Sequence, residues 1–158
     1  MTSTVNVIST ETDVKDVTPV LDTNAYADND VLFVPIVIPG AFREPGGIRV
    51  LQSIVVLDGD DQAVDMDLVF FNASATLGTI NAAVSISDAD AAKIIGYVRL
   101  VAADDANDLI NSYVYAKSGI GQVLKAASGQ TDLYVAGIVR SGTPTFSAAG
   151  MKIKLGFI

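Results

Sequence analysis

The chain has 158 residues, of which 50% are hydrophobic, and its formal net charge is −8. This length suits one domain with its own core, and the hydrophobic content excludes a disordered chain. The absence of His and Cys excludes Ser-His-Asp and Cys-His catalysis, disulfides and thiolate zinc sites. Because Lys and Arg are few and scattered, we expect no nucleic-acid partner.

The front of the chain predicts an arm and no membrane segment. Residues 1–16 lack the basic start and apolar core of a signal peptide. Val5 and Val7 alternate with polar residues, so this stretch is either a loose terminus or an arm that orders against a neighbouring subunit. We therefore predict an N-terminal arm or extension over residues 1–16 and a single β-sandwich domain over residues 17–158. No apolar run is long enough to span a bilayer.

Two short strands are expected next, over residues 17–21 and 31–38. Pro35 lacks an amide donor, which places the second of these at a sheet edge or a bulge. The loop between them carries Tyr26, which we interpret as a packing anchor.

The central feature of the sequence is the stretch from Gly46 to Asn72. Its strand from Ile48 to Leu57 is apolar at both even and odd positions, which predicts cover on both faces. A second strand is expected from Met66 to Phe71. Asp and Gly residues separate the two strands and are typical of a turn, so we predict a hairpin.

One short helix is predicted near residues 88–94. Ser87 can cap its start, and Asp88 and Asp90 lie near its positive end. About two turns are expected before a strand over residues 97–101, and an acidic loop follows over residues 102–111.

The last third of the chain predicts further strands, over residues 113–116, 122–125, 133–139 and 151–158. Gly137 suggests a close approach by another backbone or a bulge. The final strand alternates apolar residues with Lys152 and Lys154, which indicates one buried face. Eight to ten strands with one short helix predict an all-β, two-sheet β-sandwich, and a jelly roll is the preferred topology.

The candidate sites for chemistry are weak. Aspartates 58, 60, 61, 65 and 67 surround one turn, which we interpret as a solvated turn; a cation site or a glycosidase pair is the alternative. Gly119 to Gln122 is interpreted as a turn and not as a nucleotide loop, because it lacks the strand–loop–helix setting. Residues 142–146 form a turn whose Phe146 packs locally or contacts a subunit. We therefore predict no catalytic, cofactor-binding or metal-binding residues, no cofactor and no enzymatic activity.

The surplus of apolar residues suggests contact between subunits. Charged residues are 18% of a chain that is half hydrophobic. Few charges leave a monomer prone to association, so some apolar surface is expected to be buried between copies.

Several segments resemble a family of small tailed-bacteriophage virion proteins encoded near the major capsid protein. The segments that carry this resemblance are residues 19–33, 46–72, 85–100, 133–146 and 152–157. The resemblance implies a decoration or cement protein, a β-sandwich on the capsid exterior that binds the major capsid protein. It also implies a homotrimer, made in the host cytoplasm and located on the virion. No site residues are implied.

Two other functions remain open from the residues. A carbohydrate- or receptor-binding module of a virion would use Tyr26, Tyr113, Tyr115 and the acidic loop at 104–108. A hydrolase would use the pair Asp58 and Asp60.

Overall fold

The strands of this chain form two antiparallel sheets that pack face to face. The computed structural model describes residues 13–158. Within that range the strands are β1 Asp13–Val17, β2 Val31–Ile38, β3 Ile48–Asp58, β4 Met66–Phe71, β5 Ile94–Leu100, β6 Ala106–Asp108, β7 Tyr113–Lys125, β8 Leu133–Val139 and β9 Met151–Phe157. Two helices of four residues each, α1 Asp88–Ala91 and α2 Ala102–Asp105, precede β5 and β6. Neither described helix has the length or the apolar content to cross a membrane.

The order of the strands is that of a jelly roll. The first sheet has the order β1-β9-β3-β7-β6, and the second has the order β2-β8-β4-β5. Antiparallel partners are nested from the outside of the chain inwards: β1 with β9, β2 with β8, β3 with β7, and β4 with β5. This nesting is what results when one long hairpin wraps around a core. The all-β two-sheet sandwich and the jelly-roll topology predicted from the sequence are confirmed.

The predicted hairpin between β3 and β4 is wrong. Strand β3 pairs with β7 and β9, whereas β4 pairs with β5 and β8, so the two strands belong to opposite sheets. The aspartate-rich segment between them crosses from one sheet to the other. The physical reason is burial, because two apolar strands that face each other across the core cover more apolar surface than two neighbours in one sheet.

One large core fills the space between the sheets. Side chains from the inner faces of β3, β4 and β9 belong to it, with Leu51, Phe70 and Phe157 at no more than 1% exposure. The final strand alternates as predicted, with Lys152 and Lys154 exposed and Met151, Ile153, Leu155 and Phe157 buried. The outer face of β3 is only half-buried, and Ile48 is exposed. The sequence predicted that both faces of β3 are covered. Among the described residues this is true of its inner face alone.

Local chemistry explains most of the remaining differences from the sequence. Strand β1 begins at Asp13, so the boundary predicted at residue 17 lies within a strand, and residues 18–21 are not a strand. The rest of the predicted arm, residues 1–12, lies outside the described residues. Ser87 caps α1 as expected, because its Oγ accepts from the Asp90 N–H at 3.1 Å. The helix is nevertheless one turn long and not two, because the β-rich segment from Ile94 pairs with β4. The sequence did not predict α2.

The predicted turn at residues 119–122 is a bulge inside β7. Ser53 pairs with Ser118 and Leu51 pairs with Gln122, so three residues of β7 stand opposite Gln52 alone. Gly119 and Gly121 both have φ of 67°, a left-handed conformation that glycine adopts without strain. The bulge lets one 13-residue strand replace the two short strands that the sequence predicted.

Candidate functional site

The aspartate-rich turn after β3 is held together by a buried carboxylate. Asp58 is fully buried and accepts hydrogen bonds from the backbone N–H groups of Asp60, Gln62 and Ala63, at 3.1, 2.9 and 3.0 Å. Each bond satisfies a backbone donor that the turn would otherwise leave unpaired. The prediction of a solvated turn is therefore wrong for Asp58, whose role is structural.

The other carboxylates of this stretch have separate partners. Asp60 accepts from the N–H and hydroxyl of Ser147 at 2.8 and 3.0 Å. Asp65 accepts from the N–H of Ala102 at 2.8 Å. Among residues 13–158 no group of three or more Asp or Glu is arranged to hold a metal ion. The structure thus disperses the candidates and does not bring Asp58 and Asp60 together in an open cleft.

Two of the three tyrosines proposed for carbohydrate contact are buried. The hydroxyl of Tyr26 donates to the Leu32 carbonyl at 3.0 Å, and that of Tyr115 donates to the Val64 carbonyl at 2.7 Å. Burial raises the pKa of both phenols above their ordinary value. Tyr26 also meets the Phe146 ring edge-on at a centroid distance of 6.0 Å. Tyr26 is therefore a packing anchor as predicted, Phe146 packs locally, and Tyr26 and Tyr115 are not available to a sugar.

A long loop covers most of the outer face of the second sheet. Residues 72–87 connect β4 to α1, and their Leu77 is buried against that face. Leu77 forms a second hydrophobic cluster with Val69 and Phe71 of β4 and with Ile138 of β8. The loop thus gives β4 apolar cover on its outer face at Val69 and Phe71, as the core does on its inner face.

Beside this loop the outer face of the second sheet is open and forms a groove. This depression, the outer groove, has a volume of about 310 Å³. Its lining is mostly aliphatic and comes from the loop and from three strands: Val69, Leu77, Val84, Ile86, Ile94 and Ile138. Tyr97 of β5 also lines it and is 62% exposed. The groove is a preformed apolar depression of the kind that holds a ligand side chain.

Two guanidinium groups converge on one carboxylate beside the apolar part of the outer groove. Asp67 is buried and accepts from Nε and Nη2 of Arg99 at 2.7 and 2.8 Å, and from Nε of Arg140 at 2.6 Å. Burial by itself raises the pKa of the Asp67 carboxyl, but the bonds and charges of the two arginines outweigh burial and hold the pKa below its ordinary value. The hydrogen bonds and charge of Asp67 in turn raise the pKa of the Arg99 guanidinium. The two guanidinium groups and Asp67 together carry a formal charge of +1, and the nearby Asp65 carboxylate also acts on Arg99.

Exposed apolar side chains are also found at other positions. Some lie in strands and others in loops: Val14, Val20, Val34, Val37, Ile48, Leu109, Ile110 and Val123. Ile110 is 84% exposed and lies at the tip of the β6–β7 hairpin with φ of 79°. A left-handed conformation is strained for a β-branched residue, so an Ile there is unusual.

The sequence did not identify Tyr97, Arg99 and Arg140 as a group. The first two alternate within one strand, which was a visible signal that their side chains share a face. Their meeting with Asp67 depends on the register in which Asp67 is opposite Arg99 and Val69 is opposite Tyr97. The sequence of β5 alone does not determine that register.

Comparisons with known proteins do not assign the chain to a family. No family model matches it, and no curated protein matches it. A chain of Desmodium yellow mottle tymovirus is similar over 99% of this chain and 88% of its own length, with 8% identity and a TM-score of 0.30. A chain from the structure of infectious bursal disease virus Gx strain is similar over 99% of this chain and 40% of its own length, with 9% identity and a TM-score of 0.19. At these scores neither likeness assigns a fold or a function.

Proposed function

We propose that this protein is a structural virion protein that binds the outside of a phage capsid and stabilises the shell as a decoration or cement protein. In this role it acts by surface contact with the major capsid protein and with copies of itself as a homotrimer, and not by catalysis. Its location is the capsid surface, after synthesis in the host cytoplasm. The sequence resemblance to phage virion proteins supports this role.

The observation that carries the proposal is the exposure of apolar side chains on a stiff jelly-roll frame. Val20 is 73% exposed, and Val34 is 43% exposed on the edge strand β2. Both line a groove of about 230 Å³ with Phe33 and Ile36. Among the described residues, 13–158, strands β1 and β2 are edges of their sheets, so each has backbone groups on one side without a ladder partner from that range in its sheet. Edge strands with exposed apolar side chains suit contact with another copy.

The strained tip of the β6–β7 hairpin supports contact with the shell. Leu109 and Ile110 project from the end of the sandwich, and Ile110 keeps a conformation that Asn would adopt with less strain. Strain at an exposed apolar residue is consistent with a role in binding rather than in folding.

The experiment separates self-association from capsid binding. Light scattering after size-exclusion chromatography gives the mass of the purified chain, and co-sedimentation measures its binding to isolated phage capsids that lack it. We expect a trimer that Val20→Asp shifts towards the monomer, whereas Gln130→Asp, at an exposed polar position, has no effect. Ile110→Asn is expected to weaken capsid binding without loss of stability. A monomer that fails to sediment with capsids would contradict the proposal.

A further inference from the structure

We propose that the outer groove binds an extended peptide segment of a partner protein that carries an apolar side chain and, two residues away, a carboxylate. This inference is independent of the proposed function, because it follows from the groove and not from the particle to which the protein belongs.

The spacing of the groove's two parts comes from the sheet itself. Val69 and Tyr97 are register partners, and so are Asp67 and Arg99, two positions earlier in β4. Residues two apart on one face of a strand are about 7 Å apart. An extended peptide that follows β4 therefore places one side chain over the apolar part and the side chain two residues away over the arginines.

The apolar part selects against a polar occupant. Its floor and walls are aliphatic, and Tyr97 presents an exposed ring at the rim. A sugar would bring several hydroxyl groups to a surface with few hydrogen-bonding atoms, and burying them unpaired is unfavourable. An aliphatic or aromatic side chain has no hydroxyl groups to leave unpaired, and the burial of its apolar surface is favourable.

The charged part selects for a carboxylate. The hydrogen bonds to Asp67 use Nε and Nη2 of Arg99 and Nε of Arg140, and Nη1 of Arg140 donates to Asn29 Oδ1 at 2.7 Å. Within residues 13–158, Nη1 of Arg99 and Nη2 of Arg140 take part in none of these hydrogen bonds. These donors belong to the cluster of Arg99, Arg140 and Asp67, whose formal charge is +1 in a chain of net charge −8. A carboxylate is the group that forms short, charge-assisted bonds with guanidinium donors.

The test is a titration of the full chain, labelled with nitrogen-15, with a synthetic hexapeptide followed by NMR. The probe is N-acetyl-Gly-Thr-Phe-Ser-Asp-Gly-amide, in which Phe and Asp are two residues apart. We expect saturable shifts at the amides of Val69, Tyr97 and Ile138. Replacing the peptide Asp with Asn should weaken binding by roughly tenfold or more, the usual value of a charged hydrogen bond. Moving Phe next to Asp should weaken it similarly, because the two parts of the groove are then not filled together.

Variants of the protein complete the test. Tyr97→Ser and Arg99→Gln should each weaken binding of the Asp peptide by roughly tenfold, by removing part of the apolar wall or the charge. Lys154→Gln removes an exposed cation from the first sheet and should leave affinity unchanged. If Arg99→Gln does not fold, Tyr97→Ser still decides the question, since an exposed ring contributes little to folding. Equal binding of the Asn peptide, or absence of shifts in the groove, would overturn the proposal. Saturable binding of 3′-sialyllactose in place of the peptide would also overturn it and assign the groove to an acidic sugar.

Discussion

Gly137 leaves room for an aromatic ring on the neighbouring strand. It pairs with Phe33 across β2 and β8, and a Cβ at Gly137 would lie 2.4 Å from Cε1 of the Phe33 ring. The ring occupies the space that any side chain at residue 137 would need. The sequence predicted a close approach by another backbone or a bulge at Gly137. The group that approaches is instead an aromatic side chain on the neighbouring strand, and the pairing of β2 with β8 is irregular on both sides of Phe33.

Gly137→Ala is expected to destabilise the protein by about 2–3 kcal/mol, because a fully buried Phe33 has no space into which to move. Chemical denaturation of both proteins measures the difference. In a Phe33→Leu background Gly137→Ala should lower the free energy of unfolding by less, since the ring atoms that the new Cβ would contact are gone. Equal costs in the two backgrounds would show that the ring is not the cause.

Arg49 is a buried cation with incomplete hydrogen bonding. Its side chain is 4% exposed, and Nη1 donates to Asp13 and to the Ala41 carbonyl at 3.1 and 2.9 Å. The guanidinium lies 5.0 Å from the centroid of the Phe157 ring. Nε and Nη2 have no hydrogen-bond partner within residues 13–158. A buried charge with unused donors is a weak source of stability.

This arrangement predicts that substitutions of the two partners, Arg49 and Asp13, have unequal effects on the free energy of unfolding. Arg49→Met should change the free energy of unfolding by less than about 1 kcal/mol, because it removes the charge together with its unmet donors. Asp13→Ala should destabilise by roughly 1–2 kcal/mol, because it leaves the buried cation with fewer acceptors. Urea unfolding of both variants gives the comparison, and a larger cost for Arg49→Met would refute this view of the pair.

At the scale of elements, the loop over residues 72–87 serves as a third layer. Its Leu77 is 2% exposed and belongs to the second hydrophobic cluster, outside the main core. The Val84 N–H donates to the Asn29 carbonyl at 3.0 Å. The Val31 N–H donates to the Ala82 carbonyl at 2.9 Å, and the Asn81 N–H donates to the Val31 carbonyl at 2.9 Å. The loop is therefore an integral part of the sandwich, and it forms one wall of the outer groove.

Leu77→Ala is expected to cost about 2–3 kcal/mol, as for a buried leucine in a site that collapses only in part. Hydrogen exchange should show faster exchange in residues 72–87 and in β4, with little change in β9. Gln130→Ala, at an exposed polar position, is the control and should have little effect. Unchanged exchange in β4 would mean that the loop does not protect the second sheet.

At the scale of the whole molecule, an ion cluster links three strands of the second sheet. Asp67 belongs to β4, Arg99 to β5, and Arg140 follows β8. The folded-state pKa of Asp67 lies below the ordinary value of 3.8. A carboxyl with a lowered pKa contributes stability above its unfolded pKa, and that contribution is lost as pH falls from about 4 through the folded-state pKa.

Asp67→Asn should therefore lower stability at neutral pH by roughly 1–3 kcal/mol, as expected for the loss of charged hydrogen bonds. The difference between the two proteins should shrink as the pH falls below about 4, because the carboxyl of the unfolded chain is protonated first and the native carboxyl follows at lower pH. Thermal unfolding across this range isolates Asp67 from the other aspartates, which titrate in both proteins. A difference that stays constant with pH would exclude an ionic role for Asp67.

The sequence by itself determined the fold class and most strands. Period-two alternation in β9, the apolar residues at both even and odd positions of β3 and β4, and the Ser87 cap are local signals, and each depends on residues close together in the chain. The carboxylate roles, the strand partners of β3 and β4, and the outer groove were decided by tertiary structure alone. Asp58 and Asp67 lie nine residues apart, yet one holds a turn and the other is clamped by two arginines. The physical reason is that strand register is fixed by burial across the whole core, and a local pattern does not record which distant strand supplies the partner.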